Sequence, residues 1–179
     1  MRENRLLGSA AGIALSAALL FGLSVVLGPV AERNREVERG EMMARLLPGS
    51  TGFVPEAYSG GDEFITAVHK GEGGYVIETV TNGYAGNVEL MVGVDNSGKV
   101  TGVVVRNMEE SYGLGANALW DTGFLTQFLH TSGEAAVGEN VDALTGATVT
   151  SKAITKGVNA AVAFVTGADI SSGATEWEG

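Results

Sequence analysis

A chain of 179 residues, 45% hydrophobic and 18% charged, has the material for one buried core, so wholesale disorder is excluded and one domain with attachments is expected. Its formal net charge of −10, with only 11 lysines and arginines spread along the chain, excludes a nucleic-acid partner, because phosphate backbones are held by a basic face. The absence of cysteine excludes disulfides, thiolate catalysis and cysteine-ligated iron–sulfur clusters, so any electron the protein carries sits on an organic cofactor.

After a short tail at 1–5, no charged residue appears from Leu6 to Val30. A helix needs about 20 apolar residues to cross a bilayer core, and a transmembrane helix is predicted over 6–30. The run is longer than the apolar part of a cleaved signal peptide, and no small-x-small cleavage site follows it, which favours a retained anchor. Gly8, Ser9, Ala10, Gly12 and Ala14 would let a second membrane helix approach closely. Arg2 and Arg5 precede the helix and Arg33, Arg35, Arg39 and Arg45 follow it, so a count of positive charge puts the large domain in the cytoplasm. Glu32, Glu36, Glu38 and Glu41 largely neutralise those arginines.

Residues 31–49 read as a charged helical continuation, either a stalk or the first helix of the domain, with Val37, Met42, Met43, Leu46 and Leu47 available for packing and Pro48-Gly49 ending it. A domain is expected over 50–168. Its first residues, Ser50 to Gly61, are turn-rich and carry no recognisable chemistry. Period-two and β-branched patterns then predict strands at Phe64–His69, Gly74–Thr81, Val88–Val94 and Val100–Val105, an antiparallel meander whose last hairpin turns at Asp95-Asn96-Ser97-Gly98. His69 and His130 have no metal-ligand spacing, so no metal site is indicated and both read as surface residues.

Gly83-Tyr84-Ala85-Gly86 is a turn in which Tyr84 is expected to pack, or else to stack on a ring. Glu109-Glu110-Ser111-Tyr112-Gly113-Leu114-Gly115 reads on its own as an ordinary glycine loop; Ser111 lacks the Gly-x-Ser-x-Gly elbow of a hydrolase nucleophile. Trp120, Phe124 and Phe128 recur every fourth residue, which predicts one helical face and a core role. Ile154, Val158, Val162 and Val165 predict a final helix over 152–166, and 169–179 is a polar, acidic tail.

Ahead of that helix, Asp142-Ala-Leu-Thr-Gly-Ala-Thr-Val-Thr-Ser151 is a hydroxyl-rich turn in which Thr150 or Ser151 is the expected N-cap. A helix start aims backbone N–H groups forward and attracts a phosphate, and Lys152, poorly matched to a bare helix start, would help if an anion sat there. Gly146 and Ala147 keep the turn bare. Spacing alone leaves two readings open, a phosphate site or hydroxyls that merely cap the helix. The spaced Gly-Lys-Ser/Thr of a P-loop is missing.

Asp142-x-x-Thr145-Gly146-Ala147-Thr148 resembles the flavinylation motif Asp-x-x-Ser/Thr-Gly-Ala-Thr of the FMN-binding domain family, which includes the G subunit of the Rnf complex and the C subunit of the sodium-pumping NADH:quinone oxidoreductase. In that family a flavin transferase links the FMN phosphate to the last threonine of the motif. The resemblance implies FMN bound covalently through a phosphoester at Thr148, Asp142 read by the transferase, and Thr145, Thr150 and Ser151 near the phosphate, which would then meet the bare Gly146-Ala147 turn and Lys152. Glu110, Ser111, Gly113, Leu114 and Gly115 match a Glu-Thr/Ser-Pro-Gly-Leu-Gly loop that lies near the flavin in the family; Tyr112 replaces its proline, losing stiffness but offering an aromatic cover for the isoalloxazine. Leu-Leu-Pro-Gly at 46–49 and the turn at 83–86 resemble family segments as well.

The fold so implied is α+β: an N-terminal membrane helix, then an FMN-binding domain with helices packed on an antiparallel sheet. The function implied is an electron-transfer subunit of an Rnf-type ion-translocating oxidoreductase, coupled to ferredoxin and NAD. Its implied partners are the other membrane subunits, and its domain would face the outer side of the cytoplasmic membrane, against the charge count. Two further readings of the residues are a stand-alone anchored extracellular flavoprotein and an anchored structural or binding module with no cofactor.

Overall fold

Residues 2–60, 62–109, 115–119 and 121–168 are described by a computed structural model, without the side chains of 2–15 and 117. The chain forms two compact units, Met1–Glu41 and Met42–Gly179. In the first, helix α1 (Arg2–Leu46) carries Leu19, Leu20, Phe21, Leu23, Val25, Val26 and Leu27, each more than half exposed, and passes through Pro29 without ending. Among the described residues it is the one helix long and apolar enough to cross a membrane, by length and composition. Exposed leucine and phenylalanine in such a run gain nothing from water and are satisfied by hydrocarbon.

The second unit is built on one antiparallel sheet in the order β1 (Val54–Glu56), β2 (Ile65–Gly71), β3 (Gly74–Asn82), β4 (Asn87–Asp95), β5 (Val100–Met108). The expected meander is present as β2 to β5, and the turn at Asp95 closes its last hairpin, with the Gly98 N–H donating to the Asp95 carbonyl at 2.9 Å. Strand β1 is not among those expected. It is three exposed residues including Pro55, the kind of strand that survives only at a sheet edge, and it pairs with β2 alone.

Alternation divides the sheet into two buried faces. Ile77 pairs with Val92, Thr79 with Leu90 and Thr81 with Val88, so these residues share the face covered by α3 (Thr148–Thr166), which buries Ile154, Val158, Ala161 and Val162 against it. Each of the isoleucine and valine side chains, fully buried, contributes about 1.5–3 kcal/mol. The helix runs antiparallel to β3. Near its start the Thr81 hydroxyl donates to the Ala153 carbonyl at 3.0 Å, and near its end the Phe164 and Tyr75 rings meet edge-on at 5.5 Å. The helix start therefore lies at the end of the sheet that holds the β3–β4 turn.

On the opposite face Met43, Leu46 and Leu47 form a second cluster with Val76 and Met91, and the Thr101 hydroxyl donates to the Leu46 carbonyl at 2.6 Å. His69 belongs to this face and is buried, not at the surface as its isolation in the sequence suggests: its Nε2 is 2.9 Å from Glu78 Oε1, and Arg106 Nη1 donates to Glu78 Oε2 at 2.7 Å. A buried carboxylate requires such partners. His130 is exposed, with a φ of 67°.

Beyond β5 come a 3-10 helix, Gly115–Leu119, and a five-residue α2 (Thr122–Thr126) capped by the Asp121 carboxylate, which accepts from the Phe124 N–H at 2.9 Å. Phe124 and Phe128 are buried with rings edge-to-face at 5.4 Å, in keeping with a core role. They do not share one regular helix, because α2 ends at Thr126 and Phe128 follows in a turn. Trp120, expected with them, lies outside the described residues, as does the tail from 169.

Candidate functional site

The segment from Ser132 to Ala147 has little regular structure, and three side-chain amides fasten it. Asn159, buried within α3, donates to the Ala135 carbonyl at 2.8 Å. Asn140 folds back on its own loop, accepting the Ala136 N–H at 2.8 Å and donating to the Glu134 carbonyl at 2.9 Å. Gln127, at the end of α2, takes the Asp142 N–H on Oε1 at 2.7 Å and donates through Nε2 to the Asp142 carbonyl at 3.3 Å. The Asp142 side chain itself is exposed.

From there the backbone enters a turn closed by the Ala147 N–H donating to the Leu144 carbonyl at 3.0 Å. Gly146 is its third residue with a φ of 72°, a conformation that a side chain would strain. Leu144 and Ala147 point into the core, while Thr145 and Gly146 are exposed at the tip.

Helix α3 begins at Thr148, two or three residues before the expected cap at Thr150 or Ser151; Ala147 is the N-cap, and no side chain caps it. The reason is the Ser151 hydroxyl, which is fully buried one turn into the helix, donating to the Ala147 carbonyl at 2.9 Å and accepting the Leu144 N–H at 3.0 Å. A serine bonded back to the preceding turn is inside a helix, not at its cap. The hydroxyls of the motif are thus divided: Thr145 and Thr148 belong to exposed residues, Thr150 and Ser151 to buried ones. Lys152 is half-buried in the next turn.

Strand β5, which precedes the glycine loop, ends at the same end of the sheet. Met108, at the close of β5, pairs with Val88, which pairs with Thr81, and Thr81 bonds the start of α3. Gly115 is buried where the 3-10 helix opens, and that helix packs against both β5 and α3. Glu110, Ser111, Tyr112, Gly113 and Leu114 lie outside the described residues. Tyr84, in the β3–β4 turn at this end, is 75% exposed instead of packed.

These residues fit a flavin mononucleotide phosphate. The first N–H groups of α3 have no acceptor within the helix and no side-chain cap, the turn before them is bare, and an exposed threonine hydroxyl stands at the helix start. The arrangement can present one hydroxyl for esterification and stabilise the negative charge that arrives with it. Gln127, Asn140 and Asn159, which hold this geometry, carry no signal in the sequence, since an amide bonded to a distant backbone has no spacing rule.

A helix-and-sheet domain with an exposed threonine at an uncapped helix start is the class that the fold and this site define, and the comparisons with known proteins place the chain in a family. The FMN-binding domain family matches residues 83–163, from the β3–β4 turn into α3. The chain is 33% identical over 161 residues to the G subunit of the proton-translocating ferredoxin:NAD(+) oxidoreductase complex of Clostridium ljungdahlii, covering 85% of each chain. It is 37% identical over 98 residues to the G subunit of the Na(+)-translocating ferredoxin:NAD(+) oxidoreductase complex of Acetobacterium woodii, covering 50% of this chain and 47% of that one. With the G subunit of the ion-translocating oxidoreductase complex of Aliivibrio fischeri it shares 35% identity over 112 residues, 56% of this chain and 53% of the relative. The chain belongs to the family of these complex G subunits and contains its FMN-binding domain.

Proposed function

We propose that the protein is an electron-transfer subunit of an Rnf-type membrane complex, coupled to ferredoxin, NAD and ion movement, and that it carries FMN as a phosphoester on Thr148 Oγ1. The observation that carries this reading is the exposure of Thr148 at a helix start with no side-chain cap, in a chain related to complex G subunits over most of its length. Thr145, Gly146 and Ala147 would leave room for the phosphate, the first-turn N–H groups would bind it, and Lys152 would add a positive charge. Thr150 and Ser151 would act from within the core, Ser151 by fixing the turn. The loop from Glu110 to Gly115 would border the flavin ring.

Joining a phosphate to a hydroxyl requires an activated donor, and a flavin dinucleotide is the donor that the chemistry suggests. The Oγ1–P bond forms as the P–O anhydride bond breaks; adenosine monophosphate leaves, the hydroxyl proton passes to the medium, and no electron changes hands. A flavin transferase that reads the exposed Asp142 would catalyse this step. When bound, FMN supplies one- and two-electron chemistry, and the protein sets its position and its access to neighbours. A tether lets the ring lie partly exposed without being lost to a medium poor in free flavin. That advantage fits a domain on the outer side of the cytoplasmic membrane, anchored by α1 among the other subunits of the complex.

Membranes from cells that express the transferase test the reading. The wild-type chain should give a band that fluoresces under ultraviolet light after denaturing electrophoresis, and should co-extract with multi-span partners in mild detergent. A dark wild-type band contradicts the cofactor linkage; extraction as a lone fluorescent chain contradicts the complex.

A further inference from the structure

Nothing in the flavinylation motif itself explains how Asp142 is held at a constant distance from Thr148. The turn at 144–147 and α3 fix Thr148, but Asp142 lies before them, beside an exposed Ala143. Both of its backbone polar groups are taken by one side chain, with the N–H donating to Gln127 Oε1 at 2.7 Å and the carbonyl accepting from Gln127 Nε2 at 3.3 Å. Only this setting of the amide satisfies both bonds, since the reversed one would face donor to donor and acceptor to acceptor. Gln127 is itself anchored: its N–H donates to the Phe124 carbonyl at 3.2 Å, and Phe124 and Phe128 on either side of it are buried ring against ring. A hydrogen-bonded path therefore runs from the aromatic core through Gln127 to the Asp142 backbone, independent of the residues between Asp142 and Thr148.

We infer that Gln127 is a positioning residue for flavin attachment: its amide holds the Asp142 backbone so that the exposed carboxylate and the Thr148 hydroxyl are presented to the transferase at one fixed separation. The inference rests on the proposed phosphoester at Thr148. A transferase that must engage two points pays for any freedom between them, so loosening one weakens productive binding before it affects the chemical step.

The test uses the full-length chain, prepared in detergent from cells lacking the transferase and then supplied with purified transferase and flavin adenine dinucleotide. Gln127→Ala should be labelled about fivefold more slowly at low protein concentration, with the deficit closing at high concentration, as expected for a raised KM from the loss of two modest hydrogen bonds. Its melting temperature should fall by no more than a few degrees, because both lost bonds are solvent-exposed and water replaces them, and the amide of Asp142 should exchange faster with deuterium. Gln127→Glu keeps an acceptor for the Asp142 N–H but sets a carboxylate oxygen against the Asp142 carbonyl, so it should not restore the wild-type rate. Labelling of Gln127→Ala at the wild-type rate overturns the inference, as does a slow rate accounted for by an equal loss of folded protein. A wild-type chain that takes up no flavin instead overturns the phosphoester reading, and this inference with it.

Discussion

The hydroxyl of Ser151 holds the Leu144 N–H at 3.0 Å while donating to the Ala147 carbonyl at 2.9 Å, so one buried side chain ties the first turn of α3, with its exposed Thr148, to the turn that carries the exposed Thr145. Replacing it strands a buried donor. Ser151→Ala is expected to destabilise the domain by about 1–3 kcal/mol, the usual penalty for an unsatisfied buried group, measured as a shift of the urea midpoint. An unchanged midpoint would mean that water or a rearranged turn takes over the Leu144 N–H.

Lys152 is the cation nearest in sequence to the start of α3, and its replacement separates binding from folding. Lys152 lies in the second turn of α3, where a glutamate feels the helix dipole only weakly, so Lys152→Glu should melt within a few degrees of the wild type. The same charge repels an incoming phosphate, and flavin attachment should fall by roughly tenfold, the scale of about 1.4 kcal/mol. Equal flavin occupancy in variant and wild type, read by absorbance after denaturation, removes Lys152 from the site.

Gly157 sets how closely α3 lies on the sheet. A Cβ there would come within 2.7 Å of the Thr79 hydroxyl and 2.8 Å of Leu90 Cδ1, both on fully buried side chains. Alanine improves helix propensity by up to about 1 kcal/mol, but overpacking of about 1–3 kcal/mol should outweigh it. Gly157→Ala is therefore expected to lower the melting temperature, and a rise would show that the helix can lift from β3 without loss.

Much of this architecture is legible in the residues themselves. Strands β2 to β5 announce themselves because both faces of the sheet are buried and β-branched residues fill alternate positions; the helix α3 does so through Ile154, Val158 and Val162. Strand β1 does not, since Val54, Pro55 and Glu56 are exposed and only the β2 edge makes them a strand. The start of α3 is misjudged from sequence because a serine that caps a helix and a serine that bonds back from within it look alike. His69 is misjudged because its partner Glu78 comes from the neighbouring strand and is itself held by Arg106 from a third, and no spacing rule joins residues across a sheet. The motif at 142–148 is readable by resemblance, but the amides that hold it are visible only in three dimensions.

Asp95 gives the fold a defined acid sensitivity. Burial acts to raise its pKa, but hydrogen bonds from the Ser97 hydroxyl and from the Lys99 and Ser97 N–H groups, with the Lys99 charge nearby, outweigh it and hold the carboxyl below its ordinary value. A carboxyl with a depressed folded-state pKa contributes stability above its unfolded pKa of about 3.9, and loses it as pH falls through the lower folded value. Asp95→Asn should therefore melt below the wild type at pH 7, by an amount limited by solvent screening at this exposed hairpin. The gap should narrow once the pH drops below the usual aspartate range. A gap that stays constant with pH would show that the hydrogen bonds to Asp95 do not depend on its charge.

The proposed electron carrier depends on the oxygen of Thr148, and mass spectrometry of the protein taken from its native membrane addresses it most directly. The predicted result is an intact mass raised by FMN less one water, with the increment localised by digestion to the peptide that holds Thr148 and absent from Thr148→Ala. An unmodified Thr148 peptide recovered from native material as the sole form would contradict it.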